Sequence, residues 1–216
     1  LGRVNTGSVA QRLADTPGVA RTILGAARAA RGMPGADPRA MSHSWLFTGP
    51  PGSGRSLAAI DFAAALMCTD PEEPGCGRCE ACRAVLETKQ HTDLVLVDPQ
   101  EVIIPVDTVR EVIGRAASLP TVAPWRVVIF NNADRLNNNG ANALLKTVEE
   151  PPARTVIIMC APSDAPEDFS QTLRSRCRHL YIPSPSVESI TAQLVSEGAS
   201  DHDAHLAALT SLRHVG

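Results

Sequence analysis

A stretch from Gly49 to Ser56 constrains the fold of this chain more than any other part of the sequence. Its residues are Gly49, Pro50, Pro51, Gly52, Ser53, Gly54, Arg55 and Ser56. They match the phosphate-binding loop pattern G-x-x-x-x-G-K-S, except that an arginine replaces the lysine. An apolar strand pattern at 45–48 precedes the stretch, and an alanine-rich helical pattern at 57–67 follows it. The sequence therefore predicts a strand, a phosphate-binding loop and a helix, against the simpler interpretation of a glycine and proline turn.

The same sequence lacks groups that phosphoryl transfer requires. Arg55 keeps a positive charge but carries it on a longer planar group, which does not reproduce the point contact of a lysine. A magnesium ion needs an acid at the end of a neighbouring strand, and the strand at 126–130 is followed instead by Asn131 and Asn132. We expect the nearby Asp134 to point elsewhere. The pattern predicts the frame of an ATP site without hydrolysis; the alternative is slow hydrolysis supported by Arg55 and Asp134.

Four cysteines lie close together in the sequence, at Cys68, Cys76, Cys79 and Cys82. Two overlapping C-x-x-C steps with a further cysteine upstream are typical of a tetrahedral zinc site, and four thiolates leave no open position for catalysis. We therefore predict structural Zn²⁺; free thiols and, less favoured, an iron–sulfur cluster are the alternatives. The remaining Cys160 and Cys177 are expected to be small buried hydrophobic residues.

Composition argues against several classes of protein. The chain has 216 residues, a formal net charge of −3 and 44% hydrophobic residues, which is ordinary for a globular protein. No apolar run approaches the ~20 residues of a membrane span, so we expect a cytoplasmic protein with no membrane partner. The acidic balance also argues against a third hypothesis, a zinc module that binds nucleic acid directly.

Strand and helix patterns alternate as far as residue 183, which predicts an α/β fold with a parallel sheet and helices on both faces. The predicted strands are 45–48, 94–97, 126–130, 155–160 and 180–182. The predicted helices are 19–31, 57–67, 80–89, 106–117 and one that carries Ala141, Leu144, Leu145 and Val148. Helical patterns at 187–197 and 203–212 predict the start of a small lid domain at 184–216. Residues 1–7 are expected to be poorly structured and to include a cloning remnant.

Three stretches together resemble the AAA+ clamp-loader subunits of bacterial DNA polymerase III. They run from His43 to Gly52, from Asn142 to Pro152, and from Leu173 to Cys177. The second and third stretches are highly specific to this family, and an insertion with four cysteines fits it as well. The resemblance covers about residues 9–216. It implies a AAA+ P-loop NTPase-like domain at 1–183 that contains the cysteine module at 68–82, then the lid, and a helical collar domain beyond residue 216.

Departures from the family pattern imply its non-hydrolysing member. After the strand at 155–160 the motor subunits place a threonine that senses the outer phosphate, whereas this chain has Ala161 and Pro162. Beside the adenine the motor subunits have a Gly-Gln box, whereas this chain has Asp15 and Thr16. A nucleotide held in the loop of this chain is therefore not expected to be hydrolysed. A weakly active ATPase or motor subunit is the alternative.

The Ser-Arg-Cys triplet around Arg176 matches the family without departure. The resemblance implies that Arg176 enters the ATP site of a neighbouring subunit as an arginine finger, which stabilises charge on the transferred phosphoryl group. The alternative is a surface arginine in a solvated run with Arg174 and Arg178.

The resemblance also implies the partners of the chain. It would pack against a motor subunit (tau/gamma) on one side and touch the delta subunit on the other. The assembly opens the sliding clamp and places it on primed DNA. The sequences at 54–56 and 160–163 imply an origin in a high-GC Gram-positive bacterium.

Overall fold

A computed structural model describes residues 7–196 and 198–213 of the chain. These residues contain a parallel sheet with the strand order β2-β3-β4-β1-β5. The strands are β1 (Ser44–Thr48), β2 (Leu94–Val97), β3 (Arg126–Phe130), β4 (Thr155–Ala161) and β5 (Arg178–Tyr181). The predicted parallel sheet is confirmed.

Helices connect the strands because parallel neighbours cannot be joined by a tight turn. The α-helices among the described residues are α1 (Val9–Arg12), α2 (Pro17–Ala30), α3 (Arg55–Met67), α4 (Glu80–Arg83), α5 (Val106–Ala116), α6 (Asn138–Glu149), α7 (Gln171–Arg174), α8 (Val187–Ser196) and α9 (Asp201–Arg213). Helices α2 and α3 pack on one face of the sheet, and α5 and α6 pack on the other.

Strand β1 lies inside the sheet between β4 and β5, and its side chains alternate between the two core layers, as a strand period of two requires. Trp45 and Phe47 pack with Phe62 of α3, and the Trp45 and Phe62 rings meet edge to face with centroids 5.1 Å apart. Leu46 lies in the opposite layer with Leu144 of α6. Because β1 is buried on both faces, the loop that follows it starts from a fixed position.

Several element bounds differ from the predicted ones. The helix predicted at 80–89 is α4 followed by a wider π-helical turn, Ala84–Thr88, which ends where Lys89 adopts a left-handed φ of 54°. The last strand begins at Arg178 rather than at residue 180, because the residues from Arg178 to Tyr181 pair with β1. Residue 197 of the predicted helix and residues 1–6 of the predicted unstructured segment lie outside the described residues.

Helices α8 and α9 pack against each other after the sheet ends, with Ala204 and Ala208 buried. Ser189 Oγ of α8 donates a hydrogen bond to Asp15 Oδ2 at 2.6 Å, which connects this pair to the turn before α2. The domain boundary at residue 184 stays a prediction. Across the described ranges, helices are too short or too polar to cross a lipid bilayer.

Candidate functional site

The phosphate loop leaves the carboxyl end of β1 and is held tightly against β5. A Cβ atom added at Gly49 would lie 2.3 Å from the Ile182 carbonyl oxygen and 2.4 Å from Ser53 Oγ, so only glycine fits. Gly52 and Gly54 adopt left-handed φ values of 82° and 83°, which glycine reaches without steric cost. The local fold therefore requires these glycines whether or not a nucleotide is bound.

Arg55 turns back into its own loop. Its Nη1 donates a hydrogen bond to the Gly49 carbonyl at 2.7 Å. Among the residues that the structure describes, its Nε and Ser53 Oγ are buried without hydrogen-bond partners. Arg55 gives the loop a cation, but one of its N–H groups donates to the backbone of the loop itself.

The end of β3 carries amides where a magnesium-binding acid would stand. Asn131 directly follows the strand and is buried, and within the described part of the chain its Oδ1 has no hydrogen-bond partner. Asn132 adopts a left-handed φ of 52°, and Asp134 is exposed in the short 3₁₀ turn Ala133–Arg135. Because Phe130 pairs with Met159 of β4, Asn131 lies at the carboxyl ends of the strands, from which the phosphate loop also leaves. The buried amide brings no anionic charge to that end of the sheet.

A cavity of about 270 Å³ lies between the turn before α2 and the end of β5. It is lined by Asp15, Thr16, Pro17, Gly18, Val19, Leu180, Tyr181 and Pro183. Ile182, between two of these lining residues, is the residue whose carbonyl approaches Gly49. The Asp15-Thr16 pair that departs from the family pattern therefore lies at the same end of the sheet as the phosphate loop.

Four cysteine sulfurs converge at the other end of α3. The Sγ atoms of Cys68, Cys76, Cys79 and Cys82 all lie within 4.8 Å of one another. A tetrahedral metal with Zn–S bonds of ~2.3 Å requires sulfur–sulfur distances of ~3.8 Å. The Cys68 and Cys79 sulfurs are 3.9 Å apart. The donor set fits a tetrahedral metal ion.

Backbone N–H groups point at the sulfurs and favour their charged form. The Cys79 amide donates to Cys76 Sγ, and the Cys82 amide donates to Cys79 Sγ, each at 3.4 Å. A hydrogen bond with Cys82 is the main cause that lowers the pKa of the Cys68 thiol, against the opposing effect of burial. The same hydrogen bond raises the pKa of the Cys82 thiol, so the two sulfurs share a proton in the absence of a metal.

Helix α1 packs against the cysteine module. The Val9 amide donates to the Gly75 carbonyl at 2.8 Å, and a Cβ at Gly75 would meet Val9 Cγ2 at 2.5 Å. Arg12, on the same helix, forms an ion pair of 2.5 Å with Asp61 of α3, whose side chain is 4% exposed. These long-range contacts escaped the sequence analysis because nothing in the spacing of the residues marks them.

Arg176 lies two residues before β5, at the amino end of the sheet. Trp45 pairs with Arg178 at that end, whereas Gly49 follows Trp45 by four residues, ~13 Å along the strand axis. Arg176 Nε contacts Glu149 Oε1 at 2.5 Å, and Nη1 donates to the Thr172 carbonyl at 2.8 Å. Arg176 thus lies at the amino ends of the strands, whereas the phosphate loop of its own chain lies at their carboxyl ends.

The other two arginines of this run have different partners. Arg174 forms two hydrogen bonds with Asp164 Oδ2, at 2.9 and 2.6 Å. Arg178 donates to the carbonyls of Arg39 and Ala40 and lies 5.0 Å from the centroid of the Trp45 ring. Arg178 therefore stabilises the fold. Glu149 and Arg176 are 27 residues apart with a strand between them, so their pairing is not visible in the sequence.

Comparisons with known proteins place these features in a family. A family model described as DNA polymerase III, delta subunit, matches residues 36–186. The DNA polymerase III subunit delta′ of Pseudomonas aeruginosa is 35% identical over 165 residues, which cover 73% of this chain and 49% of that protein. The DNA polymerase III subunit gamma/tau of Mycobacterium tuberculosis is 33% identical over 166 residues, 74% of this chain and 28% of that protein.

The fold also matches a solved structure of a branch migration motor. The RuvB Holliday junction branch migration motor of Thermotoga maritima superposes with a TM-score of 0.53 at 16% identity, over 89% of this chain and 55% of RuvB. This likeness confirms the predicted AAA+ fold. The chain spans about half the length of the curated delta′ relatives that it matches, and the high-GC Gram-positive origin stays a prediction. The sheet order, the degenerate phosphate loop and the family match together show that the chain belongs to the DNA polymerase III delta subunit family, in its delta-prime group.

Proposed function

We propose that this chain acts as the AAA+ part of a delta-prime subunit of the bacterial clamp loader and does not hydrolyse ATP itself. The family match supports the role in DNA replication, and the buried Asn131 amide carries the argument against hydrolysis. An amide supplies neither the anionic charge that holds Mg²⁺ nor a base for the attacking water. A nucleotide held by the loop backbone stays unhydrolysed.

The proposed setting is the assembled loader in the cytoplasm. The chain packs beside a tau/gamma motor subunit and touches the delta subunit, and the complex loads the sliding clamp onto primed DNA. The resemblance of the Ser-Arg-Cys triplet and the curated relatives named delta′ and gamma/tau support this setting.

In this setting Arg176 is the arginine finger for the ATP site of the neighbouring subunit. Its place at the amino end of the sheet supports a role in trans, because it is far from the loop of its own chain. The Arg176–Glu149 pair does not prevent this role. Both side chains are partly exposed, at 35% and 47%, and exposed pairs contribute only ~0–1 kcal/mol, which is a small cost to release the guanidinium.

Arg176→Ala tests this role in the reconstituted loader. The variant is expected to abolish most hydrolysis at the one ATP site that Arg176 enters, because arginine fingers raise the rate at a site by ~10³–10⁵ in the GTPase cases. Total ATP turnover of the loader therefore falls by the fraction that this site contributes. Arg174→Ala is the matched control, since it removes a nearby exposed arginine that pairs with Asp164. Thermal melting is expected to stay within a few degrees for both variants.

Unchanged loader turnover with Arg176→Ala would exclude the finger assignment. The competing function, a weak ATPase, has its own signature. Metal-dependent phosphate release by the purified chain, abolished by Arg55→Ala, would show that the chain hydrolyses ATP without a partner.

The metal in the cysteine module is proposed to be structural Zn²⁺. The sulfur distances and four thiol donors support a closed tetrahedral site, which zinc prefers and which leaves no position for substrate. The site would hold α1 and the end of α3 together, since Val9 packs on Gly75 and Cys68 follows α3 directly.

A further inference from the structure

Strand β2 forms one edge of the sheet, and some of its backbone groups face outward. The amides of Val127 and Asn131 donate to the carbonyls of Asp93 and Val97, each at 2.9 Å, so these carbonyls face β3. Backbone groups alternate in direction along a strand, so the N–H and C=O of Leu96 face away from the sheet. Over the ranges 7–196 and 198–213, these two groups have no hydrogen-bond partner.

This edge lies at the bottom of a groove, here called the β2 groove. Two adjoining cavities of about 780 and 390 Å³ share the lining residues Val95, Leu96 and Arg115. One wall is formed by the segment 89–92 with α4, and the other by α5 through Thr108, Val112 and Arg115. The groove is therefore open along the length of β2.

Two hydrogen-bond networks, one buried around Asp93 and one partly exposed around Arg135, hold the walls of the groove in place. Asp93 accepts hydrogen bonds from the amides of Thr121, Val122 and Ala123 at 2.7–2.9 Å and pairs with Arg126 at 3.0 Å. At the far end, Arg135 Nη1 donates to the carbonyls of Pro99 and Glu101, both at 2.9 Å. A groove fixed in advance lowers the ordering cost of binding.

Charge differs between the two ends of the groove. Lys89, at the amino end of β2, and Arg115, which lines both cavities, are exposed and cationic, and Glu80 is the acid among the described lining residues of the amino-end cavity. The carboxyl end is lined by the exposed acids Asp98, Glu101 and Glu111. Apolar side chains lie at both ends as well, with Val122 68% exposed and Ile103 52% exposed.

We propose that the β2 groove binds an extended segment of another protein, which adds an antiparallel strand to the sheet beside β2. Antiparallel pairing is the slightly stronger of the two arrangements and places the carboxyl end of the segment over Lys89 and Arg115. The segment therefore carries acidic side chains near its carboxyl end and basic ones near its amino end. A second copy of this chain fits less well, because its own β2 lies equally deep between walls that would collide.

The test is a selection of short random peptides, displayed on phage, on the intact protein. The strongest binder is then synthesised with a fluorescent label and titrated by anisotropy. Selected peptides are expected to show alternating apolar residues with acids toward the carboxyl end. N-methylation of alternate peptide amides is expected to weaken binding by about tenfold or more, since it removes backbone hydrogen bonds that the added strand makes with β2.

Two variants of the protein locate the binding. Leu96→Pro removes an outward N–H donor and is therefore expected to weaken binding about tenfold. The variant is expected to fold, because proline is tolerated where the amide of an edge strand faces out. Arg115→Glu reverses the charge in the groove and is expected to weaken the selected peptide to a similar degree. Arg110→Glu is the matched control on the same helix, since Arg110 pairs with Asp107 and does not line the groove. Protection of the Leu96 amide from hydrogen exchange is expected when the peptide binds.

Three outcomes would overturn the proposal. They are the absence of any selected binder, binders insensitive to both N-methylation and Arg115→Glu, and concentration-dependent dimerisation that Leu96→Pro abolishes. The last would show that a second copy occupies the edge. Thermal melting of both variants confirms that any loss of binding does not come from unfolding.

Discussion

Helix α3 connects two sites that have very different degrees of completeness. Its first turn follows the phosphate loop, where Ser53 Oγ and Arg55 Nε are buried without hydrogen-bond partners among the described residues. Its last residue precedes Cys68, which lies with three other sulfurs within 4.8 Å. One end keeps the backbone of a phosphate loop with altered side chains, and the other end has four sulfurs that could hold a metal ion.

The difference follows from what holds each site in shape. Gly49 packs beneath the Ile182 carbonyl, so the phosphate loop is part of the packing between β1 and β5 and keeps its form without a ligand. The cysteine module has a long loop from Cys68 to Cys79 with few core side chains of its own. Small metal modules of this kind depend on the metal for folding. We therefore expect the phosphate loop to keep its form without a ligand and the cysteine module to depend on a bound metal.

Removal of the metal is expected to have the largest effect. Cys79→Ser should release the metal and cost about 4 kcal/mol, the linkage for a ligand present at ~1,000 times its Kd, which lowers Tm by ~8–16 °C. Metal analysis and thermal melting measure both. Cys177→Ser is the control, because Cys177 lies outside the cluster. Full metal retention, or an unchanged Tm, would contradict the expectation that the cysteine module depends on a bound metal.

The ion pair between Arg12 and Asp61 lies between the two sites and is expected to have the next largest effect. Arg12→Ala leaves the Asp61 carboxylate buried without its partner, and because Arg12 is 28% exposed we expect about 2 kcal/mol rather than the ~3–5 of a fully buried pair. Arg12→Lys keeps the charge and should cost less. Urea denaturation measures the difference.

The same variant should show a pH dependence. Burial raises the pKa of Asp61, and the Arg12 guanidinium opposes that effect. A carboxyl group whose pKa is raised on folding binds its proton more readily in the folded chain, so its contribution to stability falls as pH rises through the folded pKa. The cost of Arg12→Ala should therefore shrink from neutral to mildly acidic pH. An equal cost at both pH values would argue against a buried ionised Asp61.

The packing of the phosphate loop can be tested with a pair of glycines. Gly49→Ala should destabilise the chain by about 1–2 kcal/mol, because its Cβ would lie 2.3 Å from the Ile182 carbonyl. Gly25→Ala, in the open interior of α2, should stabilise it by ~0.5–1 kcal/mol. Chemical denaturation without nucleotide compares them. If Gly49→Ala is neutral, the loop is not fixed by the fold.

The smallest effect on stability is expected for Arg55→Lys. It removes the hydrogen bond to the Gly49 carbonyl, worth ~1 kcal/mol, and returns the loop to its usual sequence. We expect tighter ADP binding by calorimetry but no ATP turnover, because Asn131 and Asn132 are unchanged. Turnover by this single variant would show that the amides are not the cause of the deficit.

Local sequence was sufficient for the sheet and for the cysteine cluster. Strands β1 to β4 are short, mostly apolar runs that are largely buried, whereas β5 is more polar and mostly exposed. The four cysteines lie within one short segment whose spacing brings them together. The phosphate loop was predictable for the same reason, since its glycines act on adjacent residues. The finger role of Arg176 and the zinc identity stay predictions.

Tertiary structure alone decided how these parts act on one another. The inward turn of Arg55, the Arg176–Glu149 pair, the seating of α1 on Gly75 and the outward edge of β2 all depend on strand order and helix packing. Such contacts join residues far apart in the chain, and their distances are set by the summed packing of the whole core. The spacing of residues along the sequence does not predict these distances. The sequence therefore determined the helices and strands, and the fold determined which residues contact one another.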